Sequence, residues 1–409
     1  MTTLRIALRN YVDFENALGE EARLFESFHP NVQVELVSMG IHELHQATVS
    51  GGGLREGRFD IALLVTDWLA EGMQADALED LHIWQERIPI PDWPDAWASS
   101  LTRPLAFGDK LSSLPWHDGP ECLVYRSDFF ADPSKQAAFR EQFGRELAPP
   151  STWQQFEETA RFFTDSTASL FGTVFAAFPD GHNTLYDLAL QLWSRGGELL
   201  DASGVPQLTA PQVLAALDFY RRVVCDQGLC HPQSIQLDST QSGDIFLAGE
   251  AAMMANWFGF AARSSRAESP LAGKVAIAPV PTDGLHPQVS LSVFWTLAIG
   301  SGSHHKELAW EFLRFVTSPE RDLGITRHGT VGCRLSTWRN LTLQAQIPAY
   351  REIESVSLGA RQLPSGPQMA AFAALIDAAI SRALNTEDPT LAILESAQQE
   401  ILRKGIVFS

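Results

Sequence analysis

Hydrogen-bonding side chains stand beside aromatic rings at several points of this 409-residue chain, which holds 11 tryptophans. The groupings are Asn10-Tyr11, Asp67-Trp68, Trp116-His117-Asp118, Trp257-Phe258, and Ser292 with Phe294-Trp295. Gly40 with His42, the His182-Asn183 pair and Arg334 are further candidates in loops. An aromatic plane can cover an apolar C–H face while carboxylates, amides, imidazoles and guanidinium groups bond hydroxyls. Each grouping also has a plainer explanation. Asp67 suits a helix N-cap with Trp68 on the surface, Trp116 and Trp257 suit packing, and Asp118 and Arg334 suit solvated positions. Other chemistries find little support. Gly51-Gly52-Gly53 follows a helix and lacks Gly-Lys-Ser/Thr, so it reads as a linker rather than a phosphate loop. No Gly-x-Ser-x-Gly or His-Glu-x-x-His occurs, and no carboxylate spacing singles out a glycosidase pair. His42-x-x-His45 falls at an exposed helix start, and Cys225, Cys230 and His231 lack a fourth ligand, so no metal site is expected. Cys225 and Cys230 allow either a local disulfide or free thiols.

The elements that must position these residues alternate in the N-terminal third. Leu4, Ile6 and Leu8 alternate with Arg5 and Ala7, Leu18, Ala22 and Phe25 share a helical face, and Ile61 to Val65 is continuously apolar. Repeated β-α-β with an apolar third strand predicts a parallel sheet covered on both faces. Asn10 and Tyr11 lie just past the first strand, where α/β proteins place ligands. From about Leu123 the chain is helix-rich, with Thr152 and Gln155 spaced as a capping box and a helix from Pro211 to about Val224. The length fits two domains, and 45% hydrophobic residues suffice for two cores. A formal charge of -19 argues against nucleic acid or an anionic membrane as partner. No apolar run of about eighteen residues and no basic-plus-apolar leader is present.

The stretch Asp244 to Glu320 carries Phe246, Gly249, Ala252 and Met253, then a helix AWEFLRFVTSPE from Ala309 with Leu308, Phe312 and Val316 on one stripe. Ser318-Pro319 starts another helix. This order resembles the family 1 extracellular solute-binding proteins, the substrate receptors of ABC importers for sugars and maltodextrins. Phe25 to Gln46, Phe59 to Gly72, Lys110 to Phe130, Pro149 to Phe163 and Gly366 to Leu384 extend the resemblance in the same order. The resemblance implies a two-lobed α/β periplasmic-binding-protein fold with mostly parallel sheets. Residues 1–115 and 262–317 would form one lobe, and 116–261 and 318–409 the other. Three crossings would make a hinge around an interlobe ligand cleft that closes on the ligand. It further implies a carbohydrate ligand, an ABC permease as partner, no cofactor, no catalysis, and a monomer in the periplasm or outside the cell. Either a signal was removed before this numbering, with Met1 added, or the protein is made without one. Family placement suggests Asp67 as a hydroxyl acceptor, Trp68 as a wall, polar cleft roles for Trp116, His117 and Asp118, and an aromatic platform from Trp257 and Phe258. Ser292, Phe294 and Trp295 stand where many relatives carry two glycines, and Ala373 and Ala374 where maltodextrin receptors carry an aromatic floor. Both departures favour a mono- or disaccharide, a polyol or a sugar derivative. A glycan-processing enzyme and a sensor without transport are the alternatives.

Overall fold

The computed structural model describes residues 1–366 and 368–408, so Pro367 of the Gly366 to Leu384 segment lies outside the described residues. The chain divides into two compact units. The first comprises Met1–Gly119 and Ser292–Ala345, the second Pro120–Leu291 and the residues from Gln346 onward.

In the first unit, five strands lie in the order Val32–Met39, Thr2–Arg9, Ile61–Val65, Trp295–Ile299 and Leu114–His117. The first three are parallel, as β-α-β alternation demands. Trp295–Ile299 runs antiparallel to both neighbours, so the sheet is mixed where mostly parallel pairing was expected. The chain reaches Trp295 from residues of the second unit, not by a helical crossover from an adjacent strand, so the rule that aligns β-α-β strands does not apply to it. Leu4, Ile6 and Leu8 and the whole of Ile61–Val65 are buried. The helices Val12–Phe28 and Lys306–Val316 cover this core with Phe14, Leu18, Phe25, Phe312 and Leu313. Leu308 is only half-buried. Trp310 takes the interior place instead, its Nε1 donating to the Ile88 carbonyl at 2.9 Å.

The second unit has a four-stranded sheet in the order Val275–Ala278, Glu121–Arg126, Ala251–Trp257 and Phe171–Thr173. Two of its three pairings are antiparallel, so this sheet too departs from the parallel expectation. Thr152 caps the helix Trp153–Phe163 by accepting from the Gln155 N–H, while the Gln155 side chain reaches Ser151 rather than Thr152. A complete capping box instead opens Ser239–Ala248, between Asp238 and Gln241. That helix ends at Gly249 with φ 88°, a left-handed conformation that would strain a side chain, and the strand Ala251–Trp257 follows.

Three stretches lie in a different unit from the one expected. Residues 116–119 belong to the first unit, where His117 pairs with Trp295 at the end of the sheet. Residues 262–291 belong to the second unit because Val275–Ala278 pairs along Glu121–Arg126 and the Ser290 hydroxyl donates to the Glu121 carbonyl at 2.6 Å. Residues 318–345 belong to the first, where Asp322 accepts from the N–H groups of Cys333 and Arg334, and Arg334 pairs with Asp92. All four cysteines are free thiols, with Cys225 exposed and Cys230 buried, so the disulfide alternative falls. Among the described residues no group of metal-ligating side chains is assembled, and no helix is long and apolar enough to cross a membrane.

Candidate ligand-binding site

The first unit gathers most of its candidates at one end of its sheet. This end carries the C-terminal ends of Thr2–Arg9, Ile61–Val65 and Leu114–His117 and the N-terminal end of the antiparallel Trp295–Ile299. Rings meet there in a chain. Phe14 touches Tyr11 at 5.0 Å, Trp116 at 5.2 Å, His117 at 4.8 Å and Trp295 at 5.5 Å, and Trp295 touches Trp68 at 6.1 Å. The Arg9 guanidinium lies 5.7 Å from the Trp295 ring. His45 lies against Trp68 and places Nε2 2.8 Å from a Glu71 carboxyl oxygen.

Polar atoms at the same end are buried without protein partners among the described residues. They are Asp118 Oδ1, Trp116 Nε1 and Ser292 Oγ, on residues no more than 3% exposed. An unpaired buried polar atom costs about 1–3 kcal/mol, so each of the three is a candidate to bond a water or a ligand group from outside the protein. Burial drives the Asp118 carboxyl up to about 7, opposed by the Gly119 N–H. His117 is pulled down to about 3 by burial and by the charge of Arg9, which keeps its ring neutral. Its Nδ1 accepts from the Val331 N–H at 2.9 Å, which leaves the proton on Nε2 as a donor.

The second unit brings together another set. Trp257 ends its strand half-exposed, with Tyr186 edge-on at 5.8 Å, and the Tyr186 hydroxyl lies 3.1 Å from His182 Nδ1. Asp180 lies just before the helix Asn183–Trp193, accepting from the N–H groups of His182 and Asn183 at 2.9 Å and from the Asn183 amide. Asp377 accepts from Gly181 at 2.6 Å and from Thr184. Glu121, directly opposite Trp257 in the sheet, is buried with Oε2 unpaired.

Four candidates fall elsewhere. Phe258 is 0% exposed and packs edge-on against Tyr350, because it opens the helix Phe258–Ser264 and turns inward. Phe294 is fully buried beneath the turn at Thr66, to which its backbone bonds. Arg334, 2% exposed, pairs with Asp92 at 2.5 Å, donates to the Thr317 carbonyl and lies 4.1 Å from the Trp97 ring, so it is a structural tie. His42 is exposed in the first turn of Ile41–His45, while His45, one turn on, faces Trp68. Asn10 is exposed at the end of the first strand, its N–H bonded to Met39, and Gly40 caps Ile41–His45 next to it. Asp67 sits in the turn Thr66–Trp68, half-buried. The sequence reading missed Arg9, Phe14, Glu121, Asp180, Tyr186 and Asp187. Glu121 and Asp187 carry a readable signal, since each is a lone acid inside an apolar run (ECLVYR and NTLYDLALQLW).

Comparison with known proteins agrees with this architecture. A probable ABC transporter-binding protein of Deinococcus radiodurans is 25% identical over 269 residues, covering 64% of this chain and 59% of that protein. The chain thus spans less than two thirds of the length of the curated relatives it matches. Maltose-bound MalE3 from T. maritima superposes with a TM-score of 0.85 at 21% identity, covering 99% of this chain and all of that one. A solute-binding protein of Agrobacterium radiobacter in complex with ribitol also reaches 0.85, at 22% identity and 98% coverage of both chains. The fold is therefore the two-lobed periplasmic-binding-protein fold. The family model for bacterial extracellular solute-binding proteins matches residues 10–321, well over half of the chain, and the chain belongs to that family.

Proposed function

We propose that this chain is the substrate receptor of an ABC importer for a small polyhydroxylated ligand, a mono- or disaccharide, a polyol or a sugar derivative. The observation that carries this reading is the juxtaposition of Asp118 Oδ1, Trp116 Nε1 and Ser292 Oγ, buried and unpaired, with the ring cluster of Tyr11, Phe14, Trp68 and Trp295. An acceptor, a donor and a hydroxyl beside aromatic planes suit a molecule with hydroxyls on one edge and C–H bonds on its face. A purely apolar ligand would leave all three polar atoms unpaired. Maltose and ribitol, the ligands of the two similar structures, are of this chemical kind. In this reading Asp67 and Asp118 of the first unit accept hydroxyls and His117 donates from Nε2; within the second unit, Trp257 beside Tyr186, His182 and Asn183 is a candidate plane in its own right. Ala373 and Ala374 offer no plane, which favours a short ligand. The protein binds without transforming its ligand, works as a monomer outside the cytoplasmic membrane, and delivers to a permease.

A thermal-shift screen over sugars, polyols and their acidic derivatives tests the reading. A ligand at 100 times its Kd stabilises the folded state by about 2.7 kcal/mol, a clear rise in Tm. A panel without a single hit, on protein shown to be folded, would overturn it.

A further inference from the structure

Glu121 opens the strand Glu121–Arg126 and stands directly opposite Trp257 in the antiparallel pair, so the two side chains project from the same face of the sheet. It is 4% exposed, and its Oε2 has no hydrogen-bond partner among the described residues. Its charge acts against that of Asp187, which lies in a helix whose every residue is buried. Asp187 accepts one bond, from the Tyr220 hydroxyl at 2.8 Å, and Asp180 adds further negative charge to both Asp187 and Asp377. The titratable groups that interact with this pair among the described residues are Asp180, Tyr220 and Cys122, and Cys230 acts on Tyr220. Among the described residues no lysine or arginine acts on either carboxyl, and His182 acts on Asp377 rather than on them. Four carboxyl groups thus cluster here, with only His182 as an opposing charge and only on Asp377 among the described residues, and Glu121 has a buried oxygen without a partner among those residues.

We infer that the second unit selects a protonated amine on its polyhydroxylated ligand, with Glu121 and Asp187 as its carboxyl partners and Trp257 as the adjoining plane. The inference rests on the reading of the protein as a receptor for polyhydroxylated ligands. A neutral hydroxyl can bond Glu121 Oε2 but leaves the carboxyls opposed. An ammonium group donates up to three bonds and cancels the repulsion. Without ligand, burial and mutual repulsion keep the pair holding protons near neutrality, Asp187 being pushed up to about 7. An ammonium group displaces those protons. Affinity for an amine therefore rises with pH through that region, while affinity for the hydroxyl analogue does not.

Calorimetric titration of the whole chain with matched pairs tests this: D-glucosamine with D-glucose, D-galactosamine with D-galactose, glucamine with sorbitol, and chitobiose with cellobiose. N-acetylglucosamine serves as the charge-free amide and putrescine as an amine without hydroxyls. The expected result is an amine bound at least about tenfold tighter than its hydroxyl twin near pH 7.5, with the ratio shrinking several-fold near pH 5.5. Glu121→Gln and Asp187→Asn should each bring that ratio close to one. Melting curves identify a variant that fails to fold, and the wild-type pH profile stands without either. Twins bound equally, or the hydroxyl twin bound tighter, would overturn the inference and leave the polyhydroxyl reading intact. N-acetylglucosamine matching glucosamine, putrescine matching the best amino sugar, or an unchanged ratio in both folded variants would overturn it as well. If no member of any pair binds, the inference falls together with the reading beneath it.

Discussion

Trp257 and Phe258 are neighbours in sequence, both suggested as a ligand platform, and the structure separates them. Trp257 is half-exposed, held by Tyr186 on one edge and by the bond from its own N–H to Asn256 Oδ1 at 2.7 Å. Phe258 has no exposed surface and meets Tyr350 at 5.0 Å. The two alanine variants should therefore fail in opposite ways. A micromolar ligand is bound by only about 8 kcal/mol in all, and one stacking plane supplies about 1–3 kcal/mol of that. Trp257→Ala should raise Kd tenfold or more and cost the fold about 1–2 kcal/mol, since part of the side chain already faces water. Phe258→Ala empties a closed core position, at about 3–5 kcal/mol. For a unit of this size, each kcal/mol lowers Tm by about 2–4 °C, which predicts a drop of about 6–20 °C. Its Kd, measured well below the new Tm, should stay within a few-fold of wild type. Calorimetric titration and a melting curve on both variants read the two quantities separately. Near-normal affinity in a Trp257→Ala protein that melts far lower would refute the platform. Weakened binding by a Phe258→Ala protein of normal Tm would refute its place in the core.

Three other outcomes follow from buried charge. Asp118→Ala should weaken ligand binding by about 1–3 kcal/mol, read by calorimetry, because it removes Oδ1, a buried acceptor without a partner among the described residues. Arg334→Ala should lower stability by about 2–4 kcal/mol in denaturant unfolding without touching affinity, since it empties a buried place beside Trp97 and removes the bond to the Thr317 carbonyl, while the exposed Asp92 is rehydrated. The Arg334 hydrogen bond holds Asp92 below the usual carboxylate range, so that part of the stability is present above the unfolded pKa and lost as pH falls through the folded one. The gap between wild type and variant should narrow in acid. Glu21 behaves in the opposite sense. Burial raises it to about 7 despite Arg321 at 3.8 Å, so the stability it contributes is full below about pH 4 and declines as pH climbs towards 7. Glu21→Gln should flatten Tm against pH across that window; an unchanged slope would contradict the assignment.

Periodicity located most elements because burial and period agree there. The continuous apolar run Ile61–Val65 is a central strand, and the helix Pro211–Val224 begins at its proline as the N1 preference requires. Strand direction was not legible. The antiparallel course of Trp295–Ile299 depends on where the chain comes from, and no local pattern records that. The boundaries of the units moved for a related reason. Val275–Ala278 is an ordinary apolar strand in sequence, and only its pairing with Glu121–Arg126 assigns it to the second unit.

The site divides along the same line. The strand-end rule pointed to Tyr11 and the family resemblance to Trp68, Trp116, His117 and Trp295, and the structure gathers their rings at one end of the shared sheet. It could not tell a ring facing outward from one facing inward. Trp257 and Phe258, or Ser292 and Phe294, differ only in which way the backbone turns after the strand. Arg334 misled for a different reason. An arginine in a polar loop resembles a ligand contact until its counter-ion is known, and Asp92 lies far from it in sequence. The acids Glu121 and Asp187 were overlooked although their sequence context was informative. A charge set in an apolar strand or helix must find a partner or hold its proton. Where the folded chain provides a donor, as Tyr220 does for Asp187, the acid is explained by the fold. Where the described residues provide none, as at Glu121 Oε2, the acid holds its proton until a group from outside the chain bonds it.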